Sequence, residues 1–174
     1  RLKCPMRGTP TERAANARPW GYRWRVNFPL ALYDDLILRL VELDDAAALA
    51  RAYERNRAHL EPWEPVRADD FYTEAAQRLS VETSLAKYEA GEGLPLVVTS
   101  GTEIVGRMTL SAIFHGPYQN ARVGYWVDAD RTGRGLASAV LRATVDLARD
   151  DLGLHRLEAS TLVHNLASQR VLDH

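Results

Sequence analysis

The chain has 174 residues, of which 46% are apolar and 26% charged, and this composition favours one globular domain and excludes a disordered protein. No apolar run approaches the roughly 18 residues of a membrane span, and the single cysteine, Cys4, excludes an internal disulfide, so we expect a cytoplasmic protein. Residues 1–25 carry seven basic side chains and one acidic side chain, which leaves a charge of −7 on the rest of a chain whose net charge is −1. Such an acidic body disfavours nucleic-acid binding outside the basic segment.

Residues 1–30 are predicted to form a basic and mostly irregular leader. They contain four prolines and scattered arginines, and they show no hydrophobic period. An alternation of four aromatic residues predicts a short strand over 20–28: Trp20, Tyr22, Trp24 and Phe28. The leader lacks the apolar stretch of a secretory signal, and its charge could contact RNA or an acidic partner. The folded domain is therefore expected over residues 31–174.

The domain is predicted to begin with a strand and a first helix. Residues 36–41 are apolar enough for a buried strand. Asp44 or Asp45 is expected to cap a helix over 45–57, because a carboxylate accepts hydrogen bonds from the free amides of the first turn. The two prolines of the segment 59–65 break this helix.

A second, longer helix is predicted to follow. Asp69 or Asp70 is expected to cap it, and Gly91 and Gly93 to end it. Its predicted buried face consists of five residues at loosely helical spacing: Phe71, Ala75, Leu79, Leu85 and Tyr88.

The second half of the domain is predicted to form most of the sheet. Three strands separated by turns are expected over 94–99, 103–114 and 121–127. A helix over 135–150, a strand over 155–163 and a last helix over 166–173 follow, and the first of these helices is expected to bury four residues: Val140, Leu141, Val145 and Ala148. Consecutive strands pair antiparallel, whereas a strand–helix–strand crossover is parallel. The predicted fold class is therefore α/β with a mixed sheet.

The loop between the strand over 121–127 and the helix over 135–150 has the chemistry of a pyrophosphate site. Gly133 and Gly135 let the backbone turn sharply and approach a ligand. The helix begins at once, so its unpaired amides and positive dipole end face the same space. Arg131 and Arg134 add positive charge. The loop lacks the Gly-Lys-Ser/Thr of a Walker sequence and the third glycine of a dinucleotide fingerprint.

This loop resembles that of the GNAT acetyltransferases, Gln/Arg-x-x-Gly-x-Gly/Ala. Gly135 and Ala137 match the pattern, and Thr132 departs from it. Four further segments resemble the RimJ/RimL branch, the ribosomal-protein N-terminal acetyltransferases: His59-Leu60-Glu61-Pro62-Trp63, Gly124-Tyr125-Trp126-Val127, Leu154-His155-Arg156-Leu157-Glu158-Ala159 and Asn165-Leu166-Ala167-Ser168. The resemblance runs from about Leu36 to the last residue.

The resemblance implies the acyl-CoA N-acyltransferase fold, with acetyl-CoA bound in a splay between two parallel strands and coenzyme A as product. The implied cofactor-binding residues are Tyr125, Trp126, Val127, Arg131, Thr132, Gly133, Arg134, Gly135, Leu136, Ala137 and Asn165. The amine of the acceptor would attack the thioester directly, in a pocket shaped by Glu61 and Trp63. Residue types and spacing indicate no metal site.

Two residues are candidates for the proton transfers. Glu158 is the candidate acceptor of the amine proton, and the alternative is a salt bridge between Glu158 and Arg156. Ser168 is the candidate donor to the leaving thiolate, and the alternative is that it caps the last helix. Trp63 has an alternative as well, as a core residue.

The chain stops inside the helix that follows Asn165, whereas family members usually continue with two more strands. The sheet is therefore expected to lack its last two strands, which leaves two alternatives: a partial chain, or a homodimer in which a second subunit supplies them. The leading functional hypothesis is acetylation of a protein N-terminal α-amine, such as that of a ribosomal protein. The other hypotheses are acetylation of a small amine, such as an aminoglycoside or polyamine, and a non-catalytic acetyl-CoA-binding module.

Overall fold

A computed structural model describes residues 26–173. The predicted leader lies almost entirely outside this range, and so does most of the predicted strand over 20–28. The part of that strand that is described, residues 26–28, is irregular. No helix within the described range is long and apolar enough to cross a bilayer.

Eleven helices and strands are found in the described residues, in addition to three short 3-10 turns. They are β1 (Leu30–Ala31), β2 (Leu36–Leu40), α1 (Ala46–Arg55), α2 (Arg57–Leu60), α3 (Glu74–Ala90), β3 (Leu94–Ser100), β4 (Glu103–Phe114), β5 (Asn120–Val127), α4 (Leu136–Asp150), β6 (Arg156–Ala159) and α5 (Leu166–Leu172). The six strands form one sheet in the order β1-β2-β3-β4-β5-β6. All neighbouring pairs are antiparallel except β5 and β6, which are parallel. The predicted α/β fold with a mixed sheet is confirmed.

The sheet is buried on both faces, which explains the almost continuous apolar run of β3. One face packs against α4, where Val98 and Met108 contact a cluster that contains Val140. The other face packs against α1 and α3, where Val97 lies in a second cluster with Leu49. Because successive residues of a strand point to opposite faces, the central strands β3, β4 and β5 contribute to both clusters.

The predicted helix starts in the first half of the domain need correction. Asp45 is the N-cap residue of α1 as predicted, but its carboxylate pairs with Arg39 at 2.7 Å and accepts from the amide of Glu42 rather than from the first turn of the helix. The break falls after Leu60, because α2 continues the helical path beyond α1. The segment Asp69–Tyr72 is a 3-10 turn rather than the start of α3. Thr73 is the N-cap of α3 and accepts from the amide of Ala76.

The buried faces of two helices, α3 and α4, and the end of the last strand also differ from the predictions. The face of α3 is set by Gln77 and Val81, whereas Leu79 is 65% exposed. In α4 the buried position is Thr144 and its neighbour Val145 is exposed. Thr144 satisfies its hydroxyl by donating to a carbonyl one turn earlier, so helical phase outweighs side-chain polarity there. The last strand ends at Ala159 rather than Val163, because the chain leaves the sheet after that residue.

Candidate active site

A cleft opens where the two parallel strands separate. Strands β5 and β6 pair from Asn120 with Arg156 to Val123 with Ala159, and no further. Strand β5 continues to Val127, whereas the chain beyond Ala159 turns away toward α5. The resulting space is a cleft of about 970 Å³ that reaches from the loop before α4 to the segment after α2.

The glycine-rich loop forms one end of this cleft. Gly133 and Gly135 adopt φ angles of +71° and +80°, the left-handed region that favours glycine. Gly135 is the N-cap of the 15-residue helix α4, and the first amides of such a helix have no partner within it. A Cβ atom built on either glycine meets no atom within 4 Å, so the space beside the loop is open to a ligand. Arg131 and Thr132 also line the cleft.

A buried carboxylate holds the start of this loop, and sequence reasoning missed it. Asp128 is 4% exposed and accepts from Arg55 at 2.8 Å and from Asn56 at 3.2 Å. Asn56 is fully buried and accepts from the amide of Ala129 at 2.8 Å. Burial raises the pKa of Asp128, but the hydrogen bonds from Arg55, Asn56 and the amide of Asp130 outweigh it and leave this pKa below its usual value. The only local signal is the position of Asp128 at the end of a strand.

Two weaker contacts join the loop to the end of β3 and the segment before β2, at the same end of the sheet. Arg131 donates to the hydroxyl of Ser100 at 3.3 Å, and Ser100 in turn donates to Asp35. Tyr33 donates to the carbonyl of Arg134 at 3.4 Å. The loop is thus fixed at its start and supported along its length before any ligand binds.

A tyrosine and a serine meet at the centre of the cleft. The hydroxyls of Tyr125 on β5 and Ser168 on α5 are 3.0 Å apart. Burial raises the pKa of Tyr125, and the hydrogen bond with Ser168 offsets this only in part, so the phenol stays neutral and able to donate. Asn165 accepts from the amide of Ser168 at 3.0 Å and is the N-cap of α5. The alternative that Ser168 caps this helix is therefore wrong.

The segment after α2 forms the opposite end of the cleft. Trp63 is 39% exposed, so its alternative as a core residue is wrong, and its ring lies 5.5 Å from that of His164. This contact bridges the two sides of the cleft mouth. His59 and Glu64 line the cleft beside it. Sequence reasoning did not select Glu64, although it is the only carboxylate among the cleft-lining residues of the described chain.

Four residues predicted for the site have other surroundings. Glu158 lies outside the cleft and pairs with Arg156 at 3.1 Å, which is the alternative stated for it. Arg134 lines a cavity on the far side of the loop, and Glu61 lines a small cavity beside α2. Trp126 reaches the cleft, but its indole is 7% exposed in the core and donates to the hydroxyl of Tyr53 at 3.0 Å.

The other residues predicted to bind the cofactor line the cleft together: Tyr125, Val127, Arg131, Thr132, Gly133, Gly135, Leu136, Ala137 and Asn165. Residues 26–173 contain no group of three or more side chains that could hold a metal ion. An open strand splay that ends at a glycine loop and a helix N-terminus is suited to an elongated ligand carrying a pyrophosphate. The fold and cleft therefore define the class of α/β proteins that bind an elongated, pyrophosphate-bearing ligand at a helix N-terminus.

Comparisons with known proteins identify the family. Residues 35–174 match the model of the acetyltransferase (GNAT) domain. The chain is 32% identical over 140 residues to a probable N-acetyltransferase of Bacillus subtilis, YjcK, which covers 79% of this chain and 77% of that protein. It is 31% identical over 155 residues to the ribosomal protein uS5-alanine N-acetyltransferase of Escherichia coli, and the match covers 88% of this chain and 80% of that protein.

Solved structures agree with these matches. The structure of Mycobacterium smegmatis RimJ in complex with CoA-disulfide has a TM-score of 0.75 and 35% identity, and the match covers 80% of this chain and 68% of that one. The chain belongs to the GNAT acetyltransferase family, and its relatives support the ribosomal-protein branch of that family. It is an acetyl-CoA-dependent N-acetyltransferase.

Proposed function

We propose that this enzyme acetylates the N-terminal α-amine of a protein, such as a ribosomal protein. The observation that carries the proposal is the cleft, which runs from the phosphate-type loop to a mouth beside Trp63 and Glu64. A mouth bounded by loops suits the end of an extended peptide. The acidic charge of the domain attracts a basic chain such as a ribosomal protein. The uS5-alanine N-acetyltransferase relative supports the same acceptor class.

Different residues of the cleft are suited to different steps of such a transfer. Bound acetyl-CoA supplies an activated thioester. The amides that follow Gly135 and the guanidinium of Arg131 are suited to hold its pyrophosphate. The paired hydroxyls of Tyr125 and Ser168 are suited to donate a proton to the leaving sulfur. Burial raises the pKa of the phenol, so Tyr125 is protonated and has a proton to give.

The acceptor class is tested by a comparison of amines. The purified chain is given acetyl-CoA with a short basic peptide that has a free N-terminal alanine and an internal lysine, with the same peptide blocked at its N-terminus, or with spermidine. We expect turnover of the free peptide alone, with mass spectrometry locating the acetyl group on the α-amine. Turnover of spermidine but not of the peptide would favour a small-amine acceptor. Cofactor binding without any turnover would indicate a non-catalytic module.

Replacing Tyr125 with phenylalanine tests the proposed proton donor. Removal of one hydroxyl from the pair with Ser168 is expected to lower kcat about 100-fold, the lower end of the range for general-acid assistance, while the Kd of acetyl-CoA changes little. Steady-state kinetics and calorimetric titration measure the two quantities. An unchanged kcat in both Tyr125→Phe and Ser168→Ala would show that the leaving group needs neither hydroxyl.

A further inference from the structure

Glu64 occupies a position in the cleft that no other described carboxylate shares. Its side chain is 24% exposed, and every other acidic residue of the described chain lies outside the cleft lining. Glu158 is engaged by Arg156 and does not line the cleft. A direct attack on a thioester needs a neutral amine, so a group within reach of the mouth that removes a proton from the arriving ammonium would assist the reaction.

The backbone fixes Glu64 at the acceptor end of the cleft. The amides of Trp63 and Glu64 both donate to the carbonyl of Leu60, at 2.8 and 3.0 Å, and form a tight turn after α2. Prolines at 62 and 65 restrict the chain on both sides of this turn. The carboxylate is therefore positioned by the backbone rather than by a long flexible loop.

A second cavity lies beside the cleft at this point. Leu60 and Glu64 line both the cleft and a small cavity of about 40 Å³, whose walls include Tyr53, Phe71 and Tyr72. Glu64 thus lies between the cleft and an aromatic-walled recess. Arg67 approaches its carboxylate at 3.5 Å, the far limit of a hydrogen bond, and leaves the carboxylate oxygens able to accept from another donor.

We infer that Glu64 is the catalytic carboxylate that receives the acceptor amine and takes its proton, a role that rests on the proposed N-terminal acetyltransferase function. The ammonium gives one proton to Glu64, directly or through a water molecule. The nitrogen lone pair then forms the bond to the acetyl carbon, the carbon–sulfur bond breaks, and the sulfur takes a proton from the hydroxyl pair. The nitrogen loses its second proton as the amide forms, and that proton replaces, through solvent, the one that the hydroxyl pair gave to the sulfur. Glu64 returns its proton to solvent, so each turnover releases one proton overall.

Several ionisable groups surround the mouth and bear on its pH dependence. They are Tyr53 on α1, Arg57 and His59 on α2, Glu61 and Arg67 on the segment of Glu64 itself, Tyr72 on the 3-10 turn and His164 across the mouth. Among the cleft-lining groups, His59 is the competing proton acceptor. Separate substitution of Glu64 and of His59 shows which of these two residues accepts the proton.

The test uses Glu64→Gln, Glu64→Asp and His59→Gln, with Glu82→Gln as a matched control on the exposed side of α3. With the free-alanine peptide, we expect Glu64→Gln to lower kcat/KM about 100-fold at neutral pH, because general-base catalysis contributes about 10²–10⁴-fold. Its rate should rise with pH along the titration of the peptide amine, near pH 8, and this rise should lie at higher pH than that of the wild type. Glu64→Asp should recover part of the rate, and Glu82→Gln should behave as wild type.

An equilibrium measurement gives a readout that does not depend on turnover. The chain saturated with coenzyme A is titrated with the free-amine peptide and with its N-acetylated form. Wild type should prefer the free amine, and Glu64→Gln should lose that preference while its coenzyme A affinity stays unchanged. If the wild type is active and Glu64→Gln has the same pH profile, the assignment of Glu64 is overturned and the proposed function stands. The same holds if the pH profile shifts in His59→Gln and not in Glu64→Gln. A wild type that acetylates no peptide amine would overturn the proposed function and this inference with it.

Discussion

Valine in place of Gly135 is expected to weaken acetyl-CoA binding about 100-fold or more while the chain stays folded. Gly135 adopts φ +80°, which costs a β-branched residue about 1–2 kcal/mol, so the loop of the variant relaxes to another conformation. That change takes the amides at the start of α4 away from the pyrophosphate. Two charge-assisted hydrogen bonds of about 1.5–3 kcal/mol each account for the expected factor. Calorimetric titration with acetyl-CoA measures it.

Gly91→Val is the matched control for the backbone penalty. Gly91 has φ +78° at the C-cap of α3, far from the loop, and a Cβ atom there also meets nothing within 4 Å. Both variants should therefore lose similar thermal stability, but only Gly135→Val should lose the cofactor. Equal binding by the two variants would show that the glycine loop is not the pyrophosphate site.

Asparagine in place of Asp128 is expected to lower the free energy of unfolding by about 3 kcal/mol at pH 7, the lower end of the range for broken buried ion pairs. The lower end applies because Arg55 is 39% exposed and regains water when its partner is removed. In the wild type, the side-chain amide of Asn56 donates to a carboxylate oxygen of Asp128. In the variant, it faces the new side-chain amide instead. Because these contacts hold the start of the loop, acetyl-CoA affinity should fall as well. Chemical denaturation and calorimetric titration measure the two effects.

The difference in unfolding free energy between wild type and Asp128→Asn should become smaller as the pH falls. The pKa of Asp128 is lowered on folding, so its stabilising contribution is complete above the pKa of an unfolded aspartate, about 4, and is lost as pH falls through the folded pKa. The gap between wild type and Asp128→Asn should stay constant from pH 7 to pH 5 and narrow below about pH 4. A gap that widens in acid would contradict the ion pair.

Asp130→Asn serves as the control for charge. Asp130 is exposed in the same loop, and its amide rather than its carboxylate bonds Asp128. Its removal changes the net charge equally and should alter stability by no more than about 0.5 kcal/mol. A loss as large as that of Asp128→Asn would assign the effect to general charge rather than to the buried network.

Local sequence pattern was sufficient for most elements of the sheet. The three central strands, their turns and the helix that follows Gly135 were predicted within one or two residues, since each has a strong period or a glycine at its end. The face of α3 was predicted incorrectly because its apolar residues do not form one stripe. Leu79 is exposed, whereas Gln77 is buried, and its amide nitrogen donates to the carbonyl of Phe71 while its side-chain oxygen has no partner among the described residues. Tertiary packing overrides residue polarity when a buried polar group finds a partner.

The two carboxylates near the chemistry mark the limit of sequence reasoning. Glu158 was selected from a segment similar to a family strand, but the pleat of β6 directs it away from α4 and beside Arg156. Glu64 directly follows another quoted segment, His59 to Trp63, and the sequence does not single it out, because nothing local shows that the turn after α2 reaches the mouth of a cleft formed by β5 and β6. Asp128 was missed for the same reason, since its partners lie more than 70 residues earlier in the chain.

The sequence by itself determined the family, the order of the central strands and helices, and the glycines at the start of α4, because these depend on residues close together along the chain. Only the tertiary structure decided which side chains share the cleft. The splay between β5 and β6, the buried Asp128 network and the contact between Trp63 and His164 each join segments distant in sequence. Such contacts form only when the sheet and its helices pack around a common core, and no local pattern records the distances that result.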